Sequence, residues 1–193
     1  MKNKIFILNG LPRAGKDTFV QMIREEYEDI SKGRVVYHTS VVNGVKELEK
    51  LITSDLYKSL STNSESIKFI LEKSKQNKDD RYRKFLSDLK DITEEYCDYW
   101  FLLLSDEMRR FNMDFNESIV FIDAREPKDI ARLKKVFGAD SVYVINDNLK
   151  HIADNHADKA ATLDNYNYDY VIDNSSDFKH LRKVAKDFIN IIF

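Results

Sequence analysis

The chain has 193 residues, 42% of them hydrophobic and 33% charged, with a formal net charge of −2, the balance of an ordinary globular domain. With no basic excess to neutralise a nucleic-acid backbone, general nucleic-acid binding is not expected, whereas small phosphorylated ligands need only a local cluster of cations. A single cysteine allows no internal disulfide, no apolar stretch nears the ~20 residues of a membrane span, and the N-terminus lacks a signal-peptide cleavage pattern, so a cytoplasmic protein without a membrane partner is expected.

Five glycines and two prolines leave no linker, and no repeat period is visible, so residues 1–193 read as one domain. The first element is the apolar run KIFILN (4–9), a buried strand. GLPRAGKDT (10–18) follows at once, with Gly10, Gly15 and Lys16 in the register of the phosphate loop G-x-x-x-x-G-K-[ST]. Phe19, Val20, Ile23 and Tyr27 then share one helical face. A glycine-rich turn between a buried strand and a helix aims successive backbone N–H groups into one concavity. The helix N-terminus adds partial positive charge, and a lysine can bridge terminal phosphates. The predicted nucleotide-binding residues are therefore Gly10, Leu11, Pro12, Arg13, Ala14, Gly15, Lys16, Asp17 and Thr18. Asp17 stands where the motif has Ser or Thr. Its carboxylate suits Mg²⁺, and the other reading is a charge that favours a helix start. Arg13 reads either as a phosphate or base contact or as a solvated surface charge.

RVVYHT (34–39) is the second strand. No strand signal occurs over 41–117, which reads as a helical region. Its polar stretch 61–80 reads as a mobile insertion. The stripe Tyr82, Phe85, Leu86, Leu89, Ile92, Tyr96, Trp100 and Leu103 predicts one long helix or two over about 79–111, facing a core, with Cys97 buried in it. Strands three, four and five are SIVFID (118–123), SVYVIN (141–146) and YDYVID (168–173). Between them lies a helix with Ile130, Leu133, Val136 and Phe137 on one face, opened by Pro127 and stopped by Gly138; Phe178, Leu181, Val184 and Phe188 mark the last helix. Strands alternating with helices predict an α/β fold with a parallel sheet.

GLPRAGKDT, with Asp after Lys, resembles the loop of one branch of P-loop kinases, which includes phage-type deoxynucleoside monophosphate kinases and animal-type phosphomevalonate kinases. VFIDAREPKDI (120–130) is similar to that branch's strand ending in Asp-x-Arg, and YDYVIDNSSDFKHLRKVA (168–185) resembles the closing strand, Asn turn and last helix of nucleotide kinases. RYRKFLSDLKDITEEYCDYW (81–100) resembles, less closely, the substrate-side helices of the deoxynucleotide kinases. The resemblance implies a three-layer P-loop NTPase fold with a five-stranded sheet in the order 2-3-1-4-5, a helical acceptor-binding region at 41–117 and a lid at 146–165. It implies ATP and Mg²⁺ as cofactors, a (deoxy)nucleoside monophosphate as acceptor, and a homodimer as one assembly. A phosphomevalonate-like acceptor, or an ATP-binding regulatory module without catalysis, are the alternatives; the lid segment contains no arginine, which favours the second.

In this reading Lys16, Asp123 and Arg125 are catalytic, and Asp17 and Asp123 hold the metal. Asp123 ends a strand, and ligands gather outside the carboxyl ends of strands in such sheets; its alternative is to cap the helix ahead of Pro127. Arg125 brings a planar fork suited to phosphate oxygens, against an ion pair with Glu126 or Asp129. Arg81, Arg83 and Arg125 are acceptor-binding candidates, Arg81 and Arg83 reading equally as a solvated helix face. His151 and His156 are spaced poorly for zinc and have no cysteine partner.

Overall fold

The computed structural model describes residues 3–59, 80–115, 117–149 and 162–193. In chain order the elements are β1 (Lys4–Asn9), α1 (Lys16–Tyr27), β2 (Val36–Ser40), α2 (Val41–Ser59), α3 (Asp80–Cys97), α4 (Tyr99–Asp114), β3 (Ile119–Asp123), α5 (Pro127–Phe137), β4 (Asp140–Ile145), β5 (Tyr170–Asp173) and α6 (Phe178–Ile192). They divide into two compact units, Met1–Ser40 with Phe111–Phe193, and Val41–Arg110.

The first unit holds the sheet. All five strands run parallel in the order β2-β3-β1-β4-β5, the order the family resemblance implies. Near-continuous apolar strands imply cover on both faces. On one face Phe6, Leu8, Phe121, Val142 and Val144 meet Phe19, Val20 and Ile23 of α1 and Leu181, Ala185 and Phe188 of α6 in a single core. The Phe188 ring packs edge-on to Phe6 at 5.0 Å and to Phe19 at 5.6 Å. Strand alternation sends the fully buried Ile7 and Ile122 to the other face. There α5 packs against β1 and β4, burying Ile130 and Leu133. Gly138 ends α5 in the left-handed conformation, φ 62°, as expected. Val136 and Phe178, expected on core faces, are exposed. Three residues beyond Leu133 the helix has rotated Val136 off the buried stripe, and Phe178 stands at the first position of α6.

The second unit is helical, and no strand is found among its described residues, as expected. Residues 60–79, which include most of the predicted polar insertion, lie outside the described residues. Val41, Val45, Trp100, Leu104 and Met108 are buried. A Cβ on Gly44 would stand 3.3 Å from the Trp100 Cα, so α2 and α4 approach backbone to backbone. Lys90 is buried with its ammonium 5.6 Å from the Trp100 ring centroid, a cation–π contact. The aromatic stripe does not form one core face. Asp98, with φ 52°, separates α3 from α4 and resets the helical phase. Trp100 is 1% exposed, whereas Ile92 is 65% and Tyr96 89% exposed. Cys97, expected buried, is exposed at the end of α3 for the same reason. No described helix is long and apolar enough to cross a membrane.

The entrance to β5 is fixed by one carboxylate. Asp169 Oδ2 accepts from Ser141 N and Ser141 Oγ, each at 2.7 Å, and from Lys134 Nζ at 2.5 Å. Burial pushes its pKa up, but the Lys134 and Ser141 donors outweigh burial and hold it below the ordinary carboxylate range. A depressed folded pKa contributes stability above the unfolded value, ~3.9, that is lost as pH falls through the folded value. Asp169→Ala is expected to lower stability by about 1–2 kcal/mol at pH 7, the range for charge-assisted bonds at a partly solvated carboxyl. Urea midpoints at pH 7 and pH 3 check it: the gap between wild type and variant should narrow at pH 3. An equal gap at both would assign the loss to packing.

Candidate functional site

The turn from β1 into α1 lies at the carboxyl ends of the strands, the region where sheets of this kind collect ligands. Two glycines fit it there. Gly10 has φ 147°, and a Cβ on it would stand 2.4 Å from the Val144 carbonyl oxygen of β4. Gly15 has φ 92°, and a Cβ on it would stand 2.1 Å from Asn174 Nδ2. Asn174 follows β5 and donates from that nitrogen to the Ala14 carbonyl at 2.8 Å. Asn9 ties the other end: its side chain accepts from Gly10 N at 2.6 Å and donates to the Tyr168 hydroxyl at 2.8 Å. Burial pushes the Tyr168 pKa up, so that hydroxyl stays neutral and available.

Lys16 curls over the turn and donates from Nζ to the carbonyls of Gly10 at 2.8 Å and Leu11 at 3.1 Å. Gly15 at the N-cap of α1 brings no capping side chain. An uncapped helix N-terminus under a lysine is suited to an anion. Ala14 is buried, Leu11 and Pro12 are partly buried, and Arg13 is exposed with φ 66°. Thr18 sits on the first turn of α1 beside Asp17.

Asp17 and Asp123, far apart in sequence, come together. Between them stands His38 of β2, a residue the sequence reading passed over. His38 Nε2 is 3.2 Å from Asp123 Oδ1, and His38 Nδ1 is 3.9 Å from Asp17 Oδ1. One donor atom from each of the three lies within 4.8 Å of the others. Burial pulls the His38 pKa down, but the adjoining Asp123 carboxylate, with the Asp17 charge behind it, outweighs burial and leaves it raised. The signal that could have found His38 was its position, a lone imidazole in an apolar strand two residues from the carboxyl end. Asp123 pairs in register with Leu8 of β1 and Ser40 of β2. It does not cap α5, whose N-cap is Glu126, so that alternative is set aside. Asp17 and Asp123 offer the oxygen donors Mg²⁺ favours, so the pair fits a hard divalent ion.

Arg125 lies exposed just beyond β3, near this carboxyl end, while Glu126 pairs with Lys128 at 3.4 Å. Arg81 and Arg83 begin α3 in the second unit, and their side chains lie outside the described residues. His151, His156 and the lid segment 150–161 likewise lie outside them.

No family model and no curated protein sequence matches the chain. Among solved structures, the chain is similar to thymidylate kinase from Ehrlichia chaffeensis, with 14% identity and a TM-score of 0.41 over 100% of each chain. At that distance the fold assignment rests on the sheet order and the loop rather than on the neighbour.

The fit of the turn is testable by a double-mutant cycle. Gly15→Ala is expected to cost about 2–3 kcal/mol, from a left-handed backbone and the displaced Asn174 side chain, and Asn174→Ala about 1 kcal/mol. Because Gly15→Ala already expels Asn174, the double variant should lose clearly less than the sum in urea unfolding. Strict additivity would mean the two positions are independent.

Proposed function

We propose that the protein is an ATP- and Mg²⁺-dependent phosphotransferase acting on a small phosphorylated acceptor, a (deoxy)nucleoside monophosphate. The observation that carries this reading is the meeting of Asp17 and Asp123 beside a strand–glycine turn–helix bearing Lys16. Phosphoryl transfer asks a protein mainly for positioning and for cations around the spreading charge. In this reading the turn amides and the α1 N-terminus bind the β and γ phosphates, and Lys16 exchanges its carbonyl partners for their oxygens. Asp17 and Asp123 hold Mg²⁺, which when bound neutralises charge between those phosphates. Arg125 clamps the acceptor or the moving phosphoryl through its planar fork. The reading takes the chain as one functional kinase domain, with 41–117 supplying the acceptor side through Arg81 and Arg83 and 146–165 as lid. The acceptor assignment comes from the sequence resemblance, and a phosphomevalonate-like metabolite is the other candidate.

A second reading has a specific observation behind it. The segment 146–165 contains no arginine, and a module that binds ATP only to signal its state to a partner would need none.

Two variants separate these readings. Lys16→Ala is expected to abolish most transfer and weaken ATP binding while keeping its thermal midpoint, because Lys16 packs into no core. Unchanged turnover would remove Lys16 from the site. Arg125→Lys keeps the charge and loses the fork, so kcat/KM should fall about 100-fold, roughly 2.7 kcal/mol, with ATP affinity by calorimetry nearly unchanged. The acceptor is first found by thermal shift against nucleoside monophosphates and phosphorylated metabolites, since a ligand of the native state raises the midpoint. Tight ATP binding with no transfer to any acceptor would favour the regulatory module.

A further inference from the structure

We propose that His38 is the third protein ligand of the metal site, which with Asp17 and Asp123 makes it selective for a first-row transition ion such as Mn²⁺ over Mg²⁺. The inference rests on placing the metal of the proposed phosphotransferase at Asp17 and Asp123, and it concerns which ion that site takes.

Three elements build the site: the first turn of α1 brings Asp17, β2 brings His38 and the end of β3 brings Asp123. The parallel register of β2 with β3 sets His38 opposite Phe121 and Ser40 opposite Asp123, so the imidazole reaches one step along the sheet to the carboxylate. Around a six-coordinate ion with bonds of ~2.1 Å, adjacent donors stand about 3 Å apart and opposite donors about 4 Å. The 3.2 Å from His38 Nε2 to Asp123 Oδ1 matches an adjacent pair. These two atoms are buried and face each other, an ion pair when the imidazole is protonated. A metal ion bound between them would take the place of that proton, since a ligating imidazole is neutral. Asp17, whose side chain is 93% exposed, stands 3.9 Å from the other ring nitrogen, Nδ1, and each of the three residues offers a donor atom within 4.8 Å of the others.

The donor set decides the ion. Mg²⁺ takes oxygen and sheds water reluctantly, so an imidazole ligand adds little for it. First-row transition ions accept imidazole with carboxylate, and their affinity for nitrogen exceeds that of Mg²⁺. Two carboxylates and a neutral imidazole carry a charge of −2, which balances a divalent ion.

The test uses the full-length protein stripped of metal and free of nucleotide. Mn²⁺ is titrated against the electron paramagnetic resonance signal of the free ion, with Mg²⁺ as competitor, and the bound ion is examined by electron spin-echo modulation for coupling to a ring nitrogen. We expect one bound Mn²⁺ with nitrogen coupling. In His38→Gln the coupling should vanish, Mn²⁺ affinity should fall at least tenfold and Mg²⁺ affinity should barely change. The wild-type nitrogen signal needs no variant, so a poorly folded His38→Gln would not blunt the test. Bound Mn²⁺ without nitrogen coupling, or no Mn²⁺ bound without nucleotide, would overturn the inference. ATP binding measured by calorimetry in a chelator is the separate arm. Nitrogen-coupled Mn²⁺ with no ATP binding leaves the metal site and sinks the phosphotransferase. ATP binding without nitrogen coupling leaves the phosphotransferase and sinks the role of His38.

Discussion

The constraint on which the site depends is backbone crowding at the start of α1. Gly10 lies so close to the Val144 carbonyl, and Gly15 so close to the Asn174 side chain, that neither position has room for a methyl group. At Gly10 a side chain would have to move the β4 backbone, whereas at Gly15 it would displace the Asn174 side chain that holds the turn. The crowding also couples the turn to the sheet. Val144 belongs to β4, Asn174 follows β5, and both strands must be in register with β1 before the turn can close. The core of Phe6, Phe19, Phe188 and Leu181, which joins β1 to α1 and α6, is what holds that register. Hydrophobic packing thus acts on the site at one remove, through the position of a strand end.

The same sheet order creates the charge cluster. β3 lies between β1 and β2, so Asp123 at its end has the residue after the β1 turn on one side and β2 on the other. Two carboxylates close together repel each other, and a cation between them relieves the repulsion. His38 stands where such relief acts, which is why its pKa rises despite burial.

Much of this was legible in the sequence because it is written in short-range pattern. Each strand is a continuous apolar run that ends in a polar residue, and the glycine turn is a fixed spacing. The two clustered carboxylates could be singled out since one adjoins the lysine and the other ends a strand. Two things were illegible, for different reasons. The aromatic stripe 82–103 keeps helical spacing straight through Asp98, but a left-handed residue there breaks the helix, and spacing carries no record of such a break. Phe85 and Ile92 before the break and Leu103 beyond it read as core and are exposed, whereas Trp100 is buried. His38 was missed because it gains meaning only from neighbours on two other elements. An imidazole inside VVYHTS looks like a tolerated strand residue until the sheet order brings β3 alongside and its side chain meets Asp123.

The position of Lys16 bears on how such a turn would take up a phosphate. Its ammonium is directed by the turn's own carbonyls at Gly10 and Leu11, so it is held in place rather than swinging in solvent. A long flexible side chain otherwise loses up to ~2 kcal/mol of rotamer freedom when a ligand fixes it. Much of that loss has occurred here on folding, along with part of the desolvation. In the proposed reading an incoming phosphate would exchange two carbonyl partners for charged oxygens, a gain in hydrogen-bond strength at little entropic cost. Pre-ordering of this kind works only while the turn keeps its shape, and that shape depends on the two glycines and on Asn174. A change that relaxed the turn would release the lysine as well, and affinity would fall even with every phosphate-binding group still present.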